Sequence, residues 1–173
     1  MYSPRSRRKT PVSTEHAEAL QRALLDVTQE SFFSLAEPCE APRFDEVTTS
    51  LAAGPDGAPA RWLRAEVSFD GAFSGRVAVT MPYALASHLL ANFVGLMPGD
   101  DMPEGHVIDS TGEFANMVCG AWLTRDCGRR RFDLKPPEVC DIDARAPAVD
   151  AAIDQFVLVN DQPVRLGLEF LES

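Results

Sequence analysis

Two runs of strict alternation constrain this chain more than anything else in it. Leu63, Ala65, Val67 and Phe69 alternate with Arg64, Glu66, Ser68 and Asp70, and Phe73, Gly75, Val77 and Val79 then repeat the pattern. Successive strand side chains point to opposite faces, so this period of two describes two strands, each with one apolar face. The turn residues Asp70 and Gly71 make the pair a hairpin. Its register follows from the faces. A two-residue loop at Asp70-Gly71 sets Phe69 opposite Ala72 and Val67 opposite Ser74, which puts the second strand's apolar set on the wrong side. A three-residue loop sets Phe69 opposite Phe73, Ala65 opposite Val77 and Leu63 opposite Val79, and this register is expected.

An apolar sheet face needs a cover, and the flanking segments supply helices. Residues 13–36 carry Leu20, Leu24, Val27 and Ser31 at helical spacing, with Ala23 and Leu35 beside that stripe. Ser13 or Thr14 is placed to cap this helix, and Glu15 lies in its first turn, where the helix dipole favours negative charge. Pro38 helps to end it, and residues 38–60, rich in Pro, Gly and Asp, read as loop. Pro82 opens a second helix at 83–95, since the first-turn N–H has no helical partner. An acidic loop at 96–105 leads to a third helix at about 106–125. Strands are expected at Phe132–Leu134, near Val139–Ile142, at 156–160 and at 163–170, with Val157 and Val159 facing Leu166 and Val164 across an Asp161-Gln162 turn. Helices and antiparallel hairpins in separate runs give an α+β domain, helices packed on a mostly antiparallel sheet.

The chain has 173 residues, which suits one domain, taken as 13–173 behind a basic flexible tail at 1–12. The tail carries Arg5, Arg7, Arg8 and Lys9, so the remainder holds 12 bases against 26 acids, a net of −14. An acidic body repels nucleic acid and anionic membrane, and neither is expected as a partner. No apolar run follows the basic start as a secretory signal requires, and the greasiest stretch, 86–98, is too short to span a bilayer. The expected location is the cytoplasm. Cys39, Cys119, Cys127 and Cys140 form no CxxC pair, and His16, His88 and His106 form no ligand motif. Asp100, Asp101 and Glu104 read as a solvated turn rather than a cation site. Phosphate loops, nucleophile elbows and HExxH are absent, so a self-contained hydrolase is hard to build from this sequence.

What remains is DSTGEFANMVCG, residues 109–120. With Asp109 at zero and about 100° per residue, Glu113 falls near 40°, Asn116 near 340° and Gly120 near 20°. Val107, Phe114, Met117, Val118 and Ala121 cluster at about 80–180°, the expected core side. The plain alternative for the polar line is a solvated face, with Asp109 or Ser110 as a cap. Three features argue for more. Asn is a poor helix former, Gly112 and Gly120 each cost about 1 kcal/mol relative to Ala, and no base at i+4 supports either acid. Glycine on a polar face lets another backbone approach, while tight helix packing is the competing explanation.

The pattern Asp109-x-x-x-Glu113-x-x-Asn116, with Pro136 and Pro137 about twenty residues on, resembles the CheC/CheX/FliY family of chemotaxis phosphatases. GEFANMVCG and the first helix, LLDVTQESFFSLAEP, are most similar to the CheX branch. The motif occurs once, since Glu30 is followed three residues later by Phe33 rather than Asn. Trp122 and Arg129-Arg130-Arg131 lie outside the family motif.

The resemblance implies a CheX-like domain acting on a phosphorylated CheY-like receiver of a response regulator. Asn116 would orient a water against the aspartyl phosphate, Glu113 would pair with the receiver's lysine, and Asp109 and Gly120 would support the docking face. The domain would need no cofactor or metal of its own, because Mg²⁺ comes with the receiver. It also implies a homodimer formed through sheet edges, for which the Val- and Leu-rich strands at 156–170 are candidates. The alternative is a non-catalytic receiver-binding or dimerisation module of the same fold.

Overall fold

The computed structural model describes residues 13–51, 59–97, 100–143 and 153–171. The basic tail at 1–12 lies outside them. Among the described residues the order is α1 (Thr14–Phe32), β1 (Ala36–Cys39), α2 (Ala41–Leu51), β2 (Trp62–Gly71), β3 (Ser74–Pro82), α3 (Tyr83–Val94), α4 (Glu104–Cys127), β4 (Phe132–Leu134), β5 (Glu138–Ile142), β6 (Ile153–Val159) and β7 (Gln162–Leu171). The seven strands form one sheet in the order β1-β6-β7-β3-β2-β4, with β5 also on β2, and every pairing is antiparallel. This is the α+β arrangement the sequence predicts.

α1, α3 and α4 cover one face. Leu20, Leu24 and Val27 of α1, Leu85 and Leu89 of α3, and Phe114, Val118 and Trp122 of α4 join the inward residues of β2, β3, β6 and β7 in one core. α2 lies on the opposite face, where Phe44 meets Phe156 at 4.7 Å between ring centroids.

Several expectations are corrected. α1 is capped by Ser13, whose hydroxyl accepts from the His16 N–H at 3.3 Å, but it ends at Phe32 rather than at 36. Phe33 turns left-handed (φ 50°), and the chain leaves the helix before Pro38 is reached. Tertiary pairing wins here: the Leu35 N–H donates to Asn160 Oδ1 at 3.0 Å and the Asn160 N–H donates to the Leu35 carbonyl at 2.9 Å, drawing residues 36–39 onto β6. The stretch 38–60, read as loop, contains β1 and α2; residues 52–58 lie outside the described set. α2 tolerates Pro42 in its first turn, where the missing N–H costs nothing.

Both hairpin registers are shifted by two residues. Phe69 stands opposite Gly75, Val67 opposite Val77, Ala65 opposite Val79 and Leu63 opposite Met81. A shift of two keeps every side chain on its predicted face, so face parity alone does not detect it. Phe73 leaves the ladder and packs edge-on against Phe69, Phe132 and Phe170, while the Phe69 ring lies over Gly75, where a Cβ would collide with it. In the second hairpin Val157 faces Val164 and Val159 faces Gln162. The turn is Asn160-Asp161, both left-handed (φ 47° and 63°), as a two-residue primed turn demands and as these residue types tolerate.

Both strands of this second hairpin are interior: β6 lies between β1 and β7, and β7 between β6 and β3. They offer no sheet edge, contrary to the dimer expectation. Among the described strands the edges are β1 on one side and β4 with β5 on the other.

Candidate functional site

α4 is the longest helix described, at 24 residues, and carries the whole polar line. It begins at Glu104, behind Pro103, and no side chain caps it. Asp109 and Ser110 therefore sit inside the helix and do not cap it. Its first turn is tied down by Arg61 instead. The Arg61 guanidinium donates to Glu104 Oε1 at 2.5 Å, pairs with the Asp141 carboxylate on β5, and lies 4.4 Å from the centre of the Tyr83 ring. The hydrogen bond from Arg61 holds the Asp141 carboxyl below its usual range and raises the guanidinium's own pKa. Nothing in the sequence signals this tether, whose members stand 43 and 80 positions apart.

The buried residues of α4 are Val107, Thr111, Gly112, Phe114, Ala115, Val118, Cys119, Trp122 and Leu123. On the helical wheel they span about 140–320°, wider than the predicted arc and turned away from it. Met117 and Ala121 fall on the flank and are half-buried. The reason is that α4 packs against α1 and α3 on one side and against β2 and β5 on the other. Burial pushes the Cys119 thiol up to about 12.

The remaining arc is the predicted line. Asp109 and Glu113 are exposed, and Asn116 and Gly120 are half-buried. Their positions put all four on one side of the helix, within about 60°. Among the described residues, the Asp109, Glu113 and Asn116 side chains have no hydrogen-bond or ion-pair partner. Asn116, near 340°, stands closest to the buried arc, which accounts for its partial cover.

The two glycines of the motif separate cleanly. Gly120 has open space where a Cβ would stand, with nothing within 4 Å, so intramolecular packing does not require it. Gly112 is buried, off the polar line, and close packing explains it: a Cβ there would lie 3.0 Å from Pro137 Cγ. Pro137 is half-buried in the break between β4 and β5, two strands that both pair with β2. Pro136, Arg129, Arg130 and Arg131 are exposed, whereas Trp122 is fully buried.

In the acidic loop, Asp100 accepts from the Met97 N–H at 2.8 Å and Glu104 is engaged by Arg61. Among the described residues no three His, Cys, Asp or Glu side chains converge as a metal site would need, and no helix is long and apolar enough to cross a membrane.

Comparison with known proteins gives the family and the fold. Residues 64–159 match the family described as chemotaxis phosphatase CheX, and the chain belongs to that family. Its fold is shared with the chemotaxis protein CheX of Vibrio vulnificus, with a TM-score of 0.67, 17% identity, and coverage of 93% of this chain and 99% of that one. The CheX of Desulfovibrio desulfuricans aligns with a TM-score of 0.61 at 14% identity, covering 90% of this chain and 99% of the other. The CheX–CheY–BeF3–Mg²⁺ complex from Borrelia burgdorferi aligns with a TM-score of 0.59 at 14% identity, covering 91% and 98%. No curated protein matches the sequence.

Proposed function

We propose that this CheX-family chain removes the phosphoryl group from the phospho-aspartate of a CheY-like receiver, with Asn116 orienting the attacking water and Glu113 docking on the receiver's lysine. The observation that carries the reading is the pairing of Glu113 and Asn116 on the uncovered side of α4, neither held by another described side chain. An amide donates and accepts at once, so it can hold a water by one atom while leaving the oxygen lone pair aimed at phosphorus. The water oxygen bonds to phosphorus as the bond from phosphorus to the aspartyl oxygen breaks, leaving inorganic phosphate and a free carboxylate. Catalysis of this kind is positioning, as with the water-orienting glutamine of GTPases. The Mg²⁺ would come with the receiver. Asp109 and Gly120 extend the docking face, and open space at Gly120 lets a partner's backbone approach. That a CheX has been solved bound to a CheY supports the choice of partner class.

The proposed homodimer now rests on β1, which among the described strands pairs only with β6 and is preceded by Phe33 and Leu35, 74% and 79% exposed. Light scattering that finds only monomer would remove the dimer.

The test of the activity is the decay of phospho-receiver with wild type, Asn116→Ala and Glu113→Ala. Asn116→Ala should abolish acceleration with the fold intact, and Glu113→Ala should weaken receiver binding. Equal decay with and without Asn116 across all cognate receivers would leave the binding-module alternative.

A further inference from the structure

Three glycines lie on α4, at 105, 112 and 120, and they are not equivalent. A Cβ at Gly105 or Gly120 would meet nothing within 4 Å. At Gly112 it would lie 3.0 Å from Pro137 Cγ and 3.3 Å from both Pro137 Cβ and Val139 Cγ2. These separations are shorter than ordinary carbon–carbon contact, so something must give way. Pro137 is poorly placed to do so. Its ring fixes φ and leaves Cγ only a change of pucker, and the chain around it is pinned to β2: the Lys135 N–H donates to the Ser68 carbonyl at 2.8 Å, and Glu138 opens β5 opposite Glu66. The helix is the part that would move. Gly112 immediately precedes Glu113 and lies one turn before Asn116, so any displacement there passes directly to both.

We infer that Gly112 is a positioning residue: its bare Cα sets the depth at which α4 seats on Pro137 and Val139, and so fixes how far Glu113 and Asn116 reach toward the receiver. This rests on the phosphatase reading above. Helix propensity favours alanine at this position, so the glycine is explained by the contact and not by the helix. A lift of a fraction of an ångström matters because a site that works by aligning a water tolerates only about 0.5 Å of error.

The test compares wild type, Gly105→Ala, Gly112→Ala, Pro137→Ala and the double variant Gly112→Ala/Pro137→Ala, each as the full chain. Dephosphorylation is followed over a range of phospho-receiver concentrations, with folded fraction measured by circular dichroism. Gly105→Ala should match wild type. Gly112→Ala should lose at least about tenfold in kcat at saturating receiver per folded molecule, a loss that a purely structural role would not produce. Removing the Pro137 ring in the double variant should restore several-fold of that loss. A folded Gly112→Ala chain with wild-type kcat, or a folded double variant as slow as Gly112→Ala, overturns the proposal. Should Gly112→Ala not fold, Val139→Ala replaces it: removing one wall of the seat should lower kcat several-fold, and a folded Val139→Ala chain as fast as wild type overturns the proposal. A wild type inert toward every cognate receiver, and no different from Asn116→Ala, overturns the phosphatase reading and this inference together. An active wild type with unaffected Gly112→Ala overturns this inference alone.

Discussion

The His16 ring, in the first turn of α1, bonds through Nδ1 to the carboxylate of Asp126 near the end of α4, 110 residues away in sequence. The same ring stands edge-on to Trp122 and Phe170, at 6.3 Å and 5.4 Å between centroids. At the end of α1, Phe32 meets Phe114, near the middle of α4, at 5.0 Å between centroids, so α1 and α4 run in opposite senses and are joined at two points. His16→Ala should destabilise the domain by about 1 kcal/mol, discounted for a pair that is partly open to solvent, with the aromatic contacts supplying part of that loss. Asp126→Asn, which keeps a hydrogen-bond partner, should cost less than Asp126→Ala. Urea unfolding of the three variants checks the order.

Gly120 tests whether the open side of α4 is used. Alanine there meets nothing and is a better helix former, so Gly120→Ala should raise stability by up to about 1 kcal/mol. Gly120→Leu should also fold but weaken receiver binding, by filling the space left for a partner's backbone. Titration of labelled receiver reads this, and unchanged affinity for Gly120→Leu would remove position 120 from the docking face.

Acid should loosen the start of α4. The Arg61 hydrogen bond lowers the folded pKa of Asp141, so the stabilisation is complete above the ordinary carboxylate range and is lost as pH falls through the lowered value, below about pH 4. Asp141→Asn should show a flatter fall of stability with acid than wild type. Chemical unfolding at stepped pH measures it, and parallel curves would refute the tether.

Thiol chemistry should follow burial. Cys140 is exposed, whereas Cys119 is buried with its thiol pushed up to about 12. Cys39 and Cys127 are half-buried, and burial raises both. Iodoacetamide at neutral pH should label Cys140 first and Cys119 only on unfolding. Mass spectrometry of timed samples gives the sequence of labelling.

The sequence carries the α+β class and most element positions, because alternation and helical stripes are local. It does not carry what tertiary contacts decide. β1 contains Pro38 and has no alternating pattern to announce it; Asn160 holding Leu35 makes it a strand. α2 buries only Phe44, so no stripe marks it. Both hairpins slip by two residues because parity is blind to even shifts, and Phe73 and Asn160 settle what parity leaves open. The polar line of α4 is legible since its four positions recur at one angle. The core side is less so, because a helix wedged between a sheet and two other helices is covered on both flanks, and Gly112, Ala115 and Trp122 go under without fitting one narrow stripe. The tether from Arg61 is invisible in sequence for the same reason.

α4 is held by α1, α3 and the sheet along its length, and by Arg61 at its beginning. Such a rod has little freedom to flex, roll or unwind when another molecule arrives. Whatever accommodation an encounter requires must therefore be made by the visitor, and the protein's contribution to recognition is a template whose shape is settled during folding.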